Sequence, residues 1–323
     1  MKSKWKLLLG SAAALLILLF SGIGYLASTA KMAPKSSFYA RVKPSKPGRS
    51  QTSEPSNTTS GTYPAVSGGG ILVFAHQGGE GEWPCNTRLG LQESQKLGAD
   101  VLDIDVHLNR DGHFYALHDA TVDRTTDGTG AIADLPTESI AKLNAGYRFS
   151  PDGKTFPYRD KNLRIPELEE LFAEFPQDRF GIELKTHTPD AARALAAVIA
   201  KHHRESTVLL SCFDQKAMNA FREASPATAT SASTDEVRTF AVMHKLGLAQ
   251  LISPAYSSLQ VPIERSGFTL VSRSIVQAAH AKGVYVIPWT INEPATMKEL
   301  IGMGVDGINT NFPSRLVEAL TVR

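Results

Sequence analysis

The sequence predicts an α/β fold, a (β/α)8 TIM barrel with a β-hairpin and loop insertion, preceded by an N-terminal transmembrane segment. Three observations predict it. From position 71 onward, short apolar and often β-branched runs alternate with longer helical patterns, the signature of βα units on a parallel sheet. The alternation occupies about 250 residues, the usual size of such a barrel. Several apolar runs end in His, Asp, Glu or Lys, at the strand ends where a barrel carries its active site. A doubly wound open sheet is the second architecture that this alternation allows.

Before the barrel, Lys2, Lys4 and Lys6 precede an apolar run over 7–27, long enough to cross a hydrocarbon core of about 30 Å. Residues 1–30 therefore read as a membrane anchor. A cleaved signal peptide is the alternative, since Ser28, Thr29 and Ala30 are small residues suited to a cleavage site. The catalytic part is expected on the extracytoplasmic side, or secreted if the signal is cut. Residues 31–69, rich in Pro, Ser, Thr, Lys and Gly, read as a flexible linker, and 70–323 as the barrel domain.

The expected strands are 71–77, 100–108, 114–118, 179–185, 207–213, 228–232, 249–254, 283–289 and 306–310. Nine exceed the eight of the barrel. Asp111-Gly112 accounts for the surplus, because a two-residue turn there folds 100–108 and 114–118 into a hairpin. Helices are expected over 89–97, 166–175, 190–203, 214–223, 234–245, 272–281 and 294–302, with Asp190, Asp214 and Asp235 near their starts. The irregular stretch 120–165 is longer than an ordinary connection and reads as a functional insertion.

Strand periodicity places Asp103 with Asp105, and Glu183 with Lys185, on shared faces. A turn centred between Asp111 and Gly112 puts position 105 opposite 118, so His118 joins the same face. Clustered carboxylates repel unless a cation neutralises them, and their oxygens suit a hard ion, Ca²⁺ or Mg²⁺. His76 ends the first strand. Taken singly, each of these residues also has a plain structural reading, as a strand-end cap or a solvated charge.

The ordered series His76-Gln77-Gly78, Cys85-Asn86-Thr87, Asp103-Ile104-Asp105, His118-Asp119, Asp123-Arg124-Thr125-Thr126, Ile165-Pro166, Glu183-Leu184-Lys185, Trp289-Thr290-Ile291-Asn292 and Gly304-Val305-Asp306-Gly307-Ile308 resembles the glycerophosphodiester phosphodiesterase family. The resemblance covers 71–318. It implies His76 and His118 as the acid/base pair, Asp103, Asp105 and Glu183 as metal ligands, and Gln77, Lys185 and Trp289 as substrate-binding residues. It also implies a divalent cation, Ca²⁺ or Mg²⁺, and a small-molecule glycerophosphodiester or lysophospholipid substrate. Four positions depart from the family pattern: Gln77 stands for its usual Arg, Cys85 for a Glu, Asn311 for a frequent Asp, and Asp103 for a common Glu.

Hydrolysis of glycerophosphodiesters to an alcohol and glycerol 3-phosphate is the expected reaction. The alternatives are a lysophospholipase D, a catalytically degenerate phosphodiester-binding protein, and an unrelated barrel hydrolase. A net charge of +2 with no basic stripe among aromatics argues against nucleic acid as a partner. Two cysteines, Cys85 and Cys212, offer neither a disulfide framework nor a zinc-ligand spacing.

Overall fold

The structure, a computed structural model, describes residues 26–39 and 70–321. Eight parallel strands follow one another around a barrel-like ring: β1 (Leu72–Ala75), β2 (Val101–Leu108), β4 (Arg179–Leu184), β5 (Val208–Ser211), β6 (Ala229–Thr230), β7 (Ser258–Val261), β10 (Tyr285–Pro288) and β11 (Gly307–Thr310). Continuous ladders join β11, β1, β2, β4, β5 and β6, and a separate ladder joins β7 to β10. Isolated hydrogen bonds bridge the two gaps. Ala232 N donates to Ser258 O at 2.9 Å between β6 and β7, and Asp306 N to Val286 O at 2.9 Å between β10 and β11.

Helices on the outside connect them: α1 (Arg88–Leu97), α3 (Leu168–Glu174), α4 (Pro189–Lys201), α5 (Gln215–Ala224), α6 (Thr234–Lys245), α7 (Arg273–His280), α8 (Pro294–Met303) and, after the last strand, α9 (Pro313–Thr321). Their starts follow capping chemistry. Thr87, Thr188, Asp214, Ser233 and Ser272 each accept a first-turn backbone N–H, and Pro189 and Pro294 occupy first positions where no donor is missed. Within the insertion a four-residue helix, α2 (Thr137–Ile140), precedes α3.

Alternation of side chains divides each strand between two environments. On β2 and β4, Leu102, Ile104, Val106, Phe180, Ile182 and Leu184 point outward into the layer shared with the helices. Positions 101, 103, 105 and 107, with 179, 181, 183 and 185, then face the ring interior. The lower interior is apolar, built from Leu72, Phe74, Val101, Leu209, Ala229 and Ile287. Its upper half is polar.

Two strand expectations need correction. The segment 249–254 holds a short 3-10 turn, Ala249–Leu251, and the seventh barrel strand is Ser258–Val261. The hairpin of β2 with β3 (Phe114–Ala116) forms, but its register is shifted by one: Val106 faces Ala116 and Leu108 faces Phe114. Leu117 N, rather than a group of His118, donates to Asp105 O at 3.0 Å. The loop is three residues long, closed by Asn109 N to His113 O at 2.9 Å. Asn109 Oδ1 accepts from Asp111 N and His113 N at 3.0 and 2.8 Å, and Gly112 takes φ 88°, the left-handed residue that a three-residue loop requires. This side-chain cap outweighed the simple two-residue signal. A small second hairpin, β8 (Glu264–Arg265) with β9 (Phe268–Thr269), decorates the connection after β7.

The expected linker 31–69 divides. Residues 40–69 lie outside the described residues, but 31–39 form a strap across the N-terminal end of the ring. Lys31 N donates to Ser253 Oγ at 2.9 Å and Ala33 N to Lys282 O at 2.8 Å. Phe38 and Tyr39 are buried in the lower interior, and Tyr39 stacks on Tyr285 with ring centroids 3.7 Å apart. Two aromatic rings thus close the end of the barrel opposite its polar mouth, which a free spacer does not do. The expected anchor falls almost wholly on residues outside those described. Among the described residues no helix is long and apolar enough to cross a membrane.

Phe38→Ala removes a fully buried ring and is expected to destabilise the fold by about 3–5 kcal/mol, the usual cost of a large-to-small core change. Denaturant unfolding of the full chain measures it. An unchanged midpoint means that the strap does not close the barrel.

Candidate active site

The ladder between β2 and β4 sets Asp103 beside Gly181 and Asp105 beside Glu183. All three acids face the interior near the C-terminal strand ends. A side chain at 181 has no room, because a Cβ there collides with Asp103 Oδ1. Lys185 Nζ lies 3.1 Å from Asp105 Oδ1 and 2.7 Å from Glu183 Oε1, an ammonium bridging two carboxylates. Asn86 holds Asp105 from the other side: its Nδ2 donates to Asp105 Oδ2 at 3.2 Å and its Oδ1 accepts from Asp105 N at 3.2 Å. Asn309 Nδ2 donates to Asp103 Oδ2 at 2.9 Å.

Burial dominates the electrostatics. It pushes the Asp103 carboxyl up to about 7, against the opposing charge of His76 and the Asn309 hydrogen bond. Burial also raises Glu183, while the charge of Lys185 pulls it back. Lys185 is held above its ordinary value by Asp105 and Glu183, which overcome its own desolvation. The site is a crowd of acids that favours any cation among them.

His76 follows β1 on a short turn, and its Nδ1 lies 2.6 Å from Asn311 Oδ1. An amide oxygen only accepts, so Nδ1 is the donor in this hydrogen bond. Glu80 Oε1 is more distant, at 3.7 Å. His118 lies past the end of β3, with Nδ1 2.7 Å from Asp119 Oδ1. Arg124 completes a chain by donating from Nε to Asp119 Oδ2 at 2.6 Å. That bond holds the Asp119 carboxyl down at about 2. His107 Nε2 bonds to His118 O at 3.1 Å, so the histidine loop is tied to the inward face of β2. Each histidine is coupled to the acids, since His76 lowers Asp103 and His118 lowers Glu183.

Of the remaining expected residues, Gln77 is buried and its Oε1 lies 3.5 Å from Asn86 Nδ2, so it backs the residue that holds Asp105. Trp289 stands half-buried at the end of β10, 6.2 Å between ring centroids from Phe213 at the end of β5. Burial pushes the Cys85 thiol up to about 12, which suits packing and not nucleophilic attack. Sequence reasoning included Asn86, Asp119 and Arg124 in the ordered series without giving them a place in the site, and missed Asn309, His107 and Phe213. Strand parity was the available signal for His107 and Asn309. No sequence signal linked Asn86 to Asp105.

Among the described residues no three His, Cys, Asp or Glu groups stand ready as a metal cage. The donors nonetheless fit a hard cation in kind. Lys185 already serves as a positive charge between Asp105 and Glu183, and buried Asp103 lies two positions before Asp105 on the same face.

Comparison with known proteins gives a consistent match. Residues 76–315 match the glycerophosphoryl diester phosphodiesterase family. A glycerophosphodiester phosphodiesterase of Caldanaerobacter subterraneus subsp. tengcongensis is 31% identical over 257 residues, 76% of this chain and 96% of that protein. A mouse lysophospholipase D is 23% identical, over 76% of this chain and 85% of its own. The structure of an Oleispira antarctica phosphodiesterase in complex with the product sn-glycerol-3-phosphate superposes with a TM-score of 0.63 at 24% identity, covering 77% of this chain and 96% of that one.

The Asp119–Arg124 bond has a defined pH signature. A carboxyl depressed in the folded state stabilises the fold above its ordinary value near 4, and that contribution is lost as pH falls toward 2. The melting-temperature gap between the wild type and Arg124→Gln is therefore expected to narrow from pH 5 to about pH 2. A gap constant over that range rules out the bond as its source.

Proposed function

This chain is a phosphodiesterase of the glycerophosphoryl diester phosphodiesterase family, and from that premise we propose that it hydrolyses glycerophosphodiesters to an alcohol and glycerol 3-phosphate through His76 and His118. The observation that carries this reading is the pair of imidazoles, each fixed through Nδ1 and each coupled to the acids at one end of the barrel.

The two histidines differ in their partners, and the difference supports a division of labour. His76 donates to a neutral amide, which leaves Nε2 free to remove the proton of the attacking hydroxyl. His118 is held through Nδ1 by the carboxylate of Asp119, which orients the ring to protonate the leaving oxygen. The attacking oxygen forms its bond to phosphorus as the alcohol P–O bond breaks. One proton enters at His76 and one leaves from His118, and exchange with water restores both. Lys185 counters the charge of the diester beside Asp105 and Glu183. Asn86 and Asn309 keep Asp105 and Asp103 in place. Asp103, Asp105 and Glu183 are the residues that would hold Ca²⁺ or Mg²⁺, which supplies Lewis-acid stabilisation of phosphoryl oxygen when bound. Trp289 and Phe213 line one side of the mouth.

The apolar run 7–27 supports a membrane-anchored protein with an extracytoplasmic barrel. The strap 31–39, which follows that run, lies against the barrel end opposite the mouth. A strap held at the end opposite the mouth fits a mouth that faces water, and so a water-soluble diester over a lysophospholipid in the same leaflet.

His76→Ala and His118→Ala are each expected to lower kcat on glycerophosphocholine by about 10²–10⁴-fold, the usual contribution of a positioned acid or base. Chelation is expected to abolish turnover, and added Ca²⁺ or Mg²⁺ to restore it. Full activity of either variant, or of the chelated enzyme, defeats the corresponding part of the mechanism. Faster turnover of lysophosphatidylcholine than of glycerophosphocholine turns the assignment to lysophospholipase D.

A further inference from the structure

A cavity of about 260 Å³ lies beside the mouth, with walls that include Glu80, Cys85, Arg124, Arg148, Phe149 and Ser150. It borders the machinery on both sides. Glu80 reaches toward His76, and Arg124 is the last link of the chain through Asp119 to His118. Cys85 forms the common wall, close enough to sense the charges of both Arg124 and Asp105. The outer wall comes from Ala145, Arg148, Phe149 and Ser150, a stretch of the insertion between β3 and α3 with no other role in the chemistry above.

The volume suits a small polar group. Pockets that enclose drug-sized ligands span about 300–1,000 Å³, so a headgroup fits here and an acyl chain does not. Charge narrows the class further. Arg124 is occupied by Asp119. Glu80 lies at the His76 end. Arg148 is different: it is exposed at the cavity wall, its Nε donates to Thr126 O at 2.9 Å, which leaves its two terminal nitrogens available, and among the described residues no carboxylate forms an ion pair with it. A held guanidinium without an acidic partner at a cavity wall is suited to bidentate binding of a phosphate or carboxylate. A quaternary ammonium, which needs an aromatic cage, finds one ring, Phe149, and a repelling Arg148.

We infer that this cavity is the subsite for the alcohol arm of the diester, and that Arg148 selects arms bearing a second anionic group, above all a phosphate monoester. The inference rests on the phosphodiesterase reading proposed above and adds the substrate class. Bond breaking at phosphorus releases that arm into the cavity beside Arg148, with the leaving oxygen toward His118.

A matched substrate pair tests it: glycerophosphoinositol 4-phosphate against glycerophosphoinositol, which differ by one phosphate. The wild type is expected to favour the phosphorylated compound in kcat/KM by about tenfold or more, chiefly through KM, as expected for a charge-assisted pair. In Arg148→Gln the ratio is expected to collapse toward one, while Arg148→Lys retains part of it. A ratio unchanged in Arg148→Gln, or a wild-type preference for the unphosphorylated compound, overturns the subsite. If the wild type hydrolyses neither compound and no glycerophosphocholine either, the phosphodiesterase reading fails separately. Calorimetric binding of inositol monophosphate then decides the subsite alone: loss in Arg148→Gln supports it, and equal binding by both proteins rejects it.

Discussion

The constraint on which this molecule depends is the in-register parallel alignment of β2 with β4. It sets Asp105 next to Glu183 and Asp103 next to Gly181, all turned inward. Because side chains alternate along a strand, a slip of one residue would send every acid into the apolar layer against the helices. Outward Leu102, Ile104, Phe180, Ile182 and Leu184 prevent that slip by their burial. The same packing that stabilises the sheet thus aims the chemistry.

Charge follows from that geometry. Three carboxylates in a buried mouth raise one another's cost of ionisation, and the structure answers with an ammonium and two asparagines. Lys185 gives positive charge, whereas Asn86 and Asn309 give direction. The histidines stand around this cluster, each fixed by a different partner. One ring is held by the amide of Asn311 and the other by the carboxylate of Asp119.

The departures Gln77, Cys85 and Asn311 gain meaning from this arrangement. Gln77 turns inward to Asn86, and Cys85 closes the wall between the acids and the arginine-lined cavity. Asn311 gives His76 Nδ1 its nearest partner, an amide oxygen at 2.6 Å, with the Glu80 carboxylate farther off at 3.7 Å. Opposite the mouth, Phe38 and Tyr39 fill the lower interior, so the barrel is sealed at one end and reactive at the other.

Local chemistry in the chain determined much of this. The alternation of strands and helices, the hairpin, the inward pairing of Asp103 with Asp105 and of Glu183 with Lys185, and the chain position of both histidines were all legible, because period and turn residues act over a few positions. Contacts between distant segments decided the rest. The hairpin register turned on how Asn109 caps its own loop, and the seventh strand lay beyond an apolar turn that resembled it. Asn86 beside Asp105, Asn309 beside Asp103, the strap beneath the barrel and the cavity under the insertion all join residues far apart in sequence. No local pattern encodes such pairs, since their proximity exists only once the ring has closed.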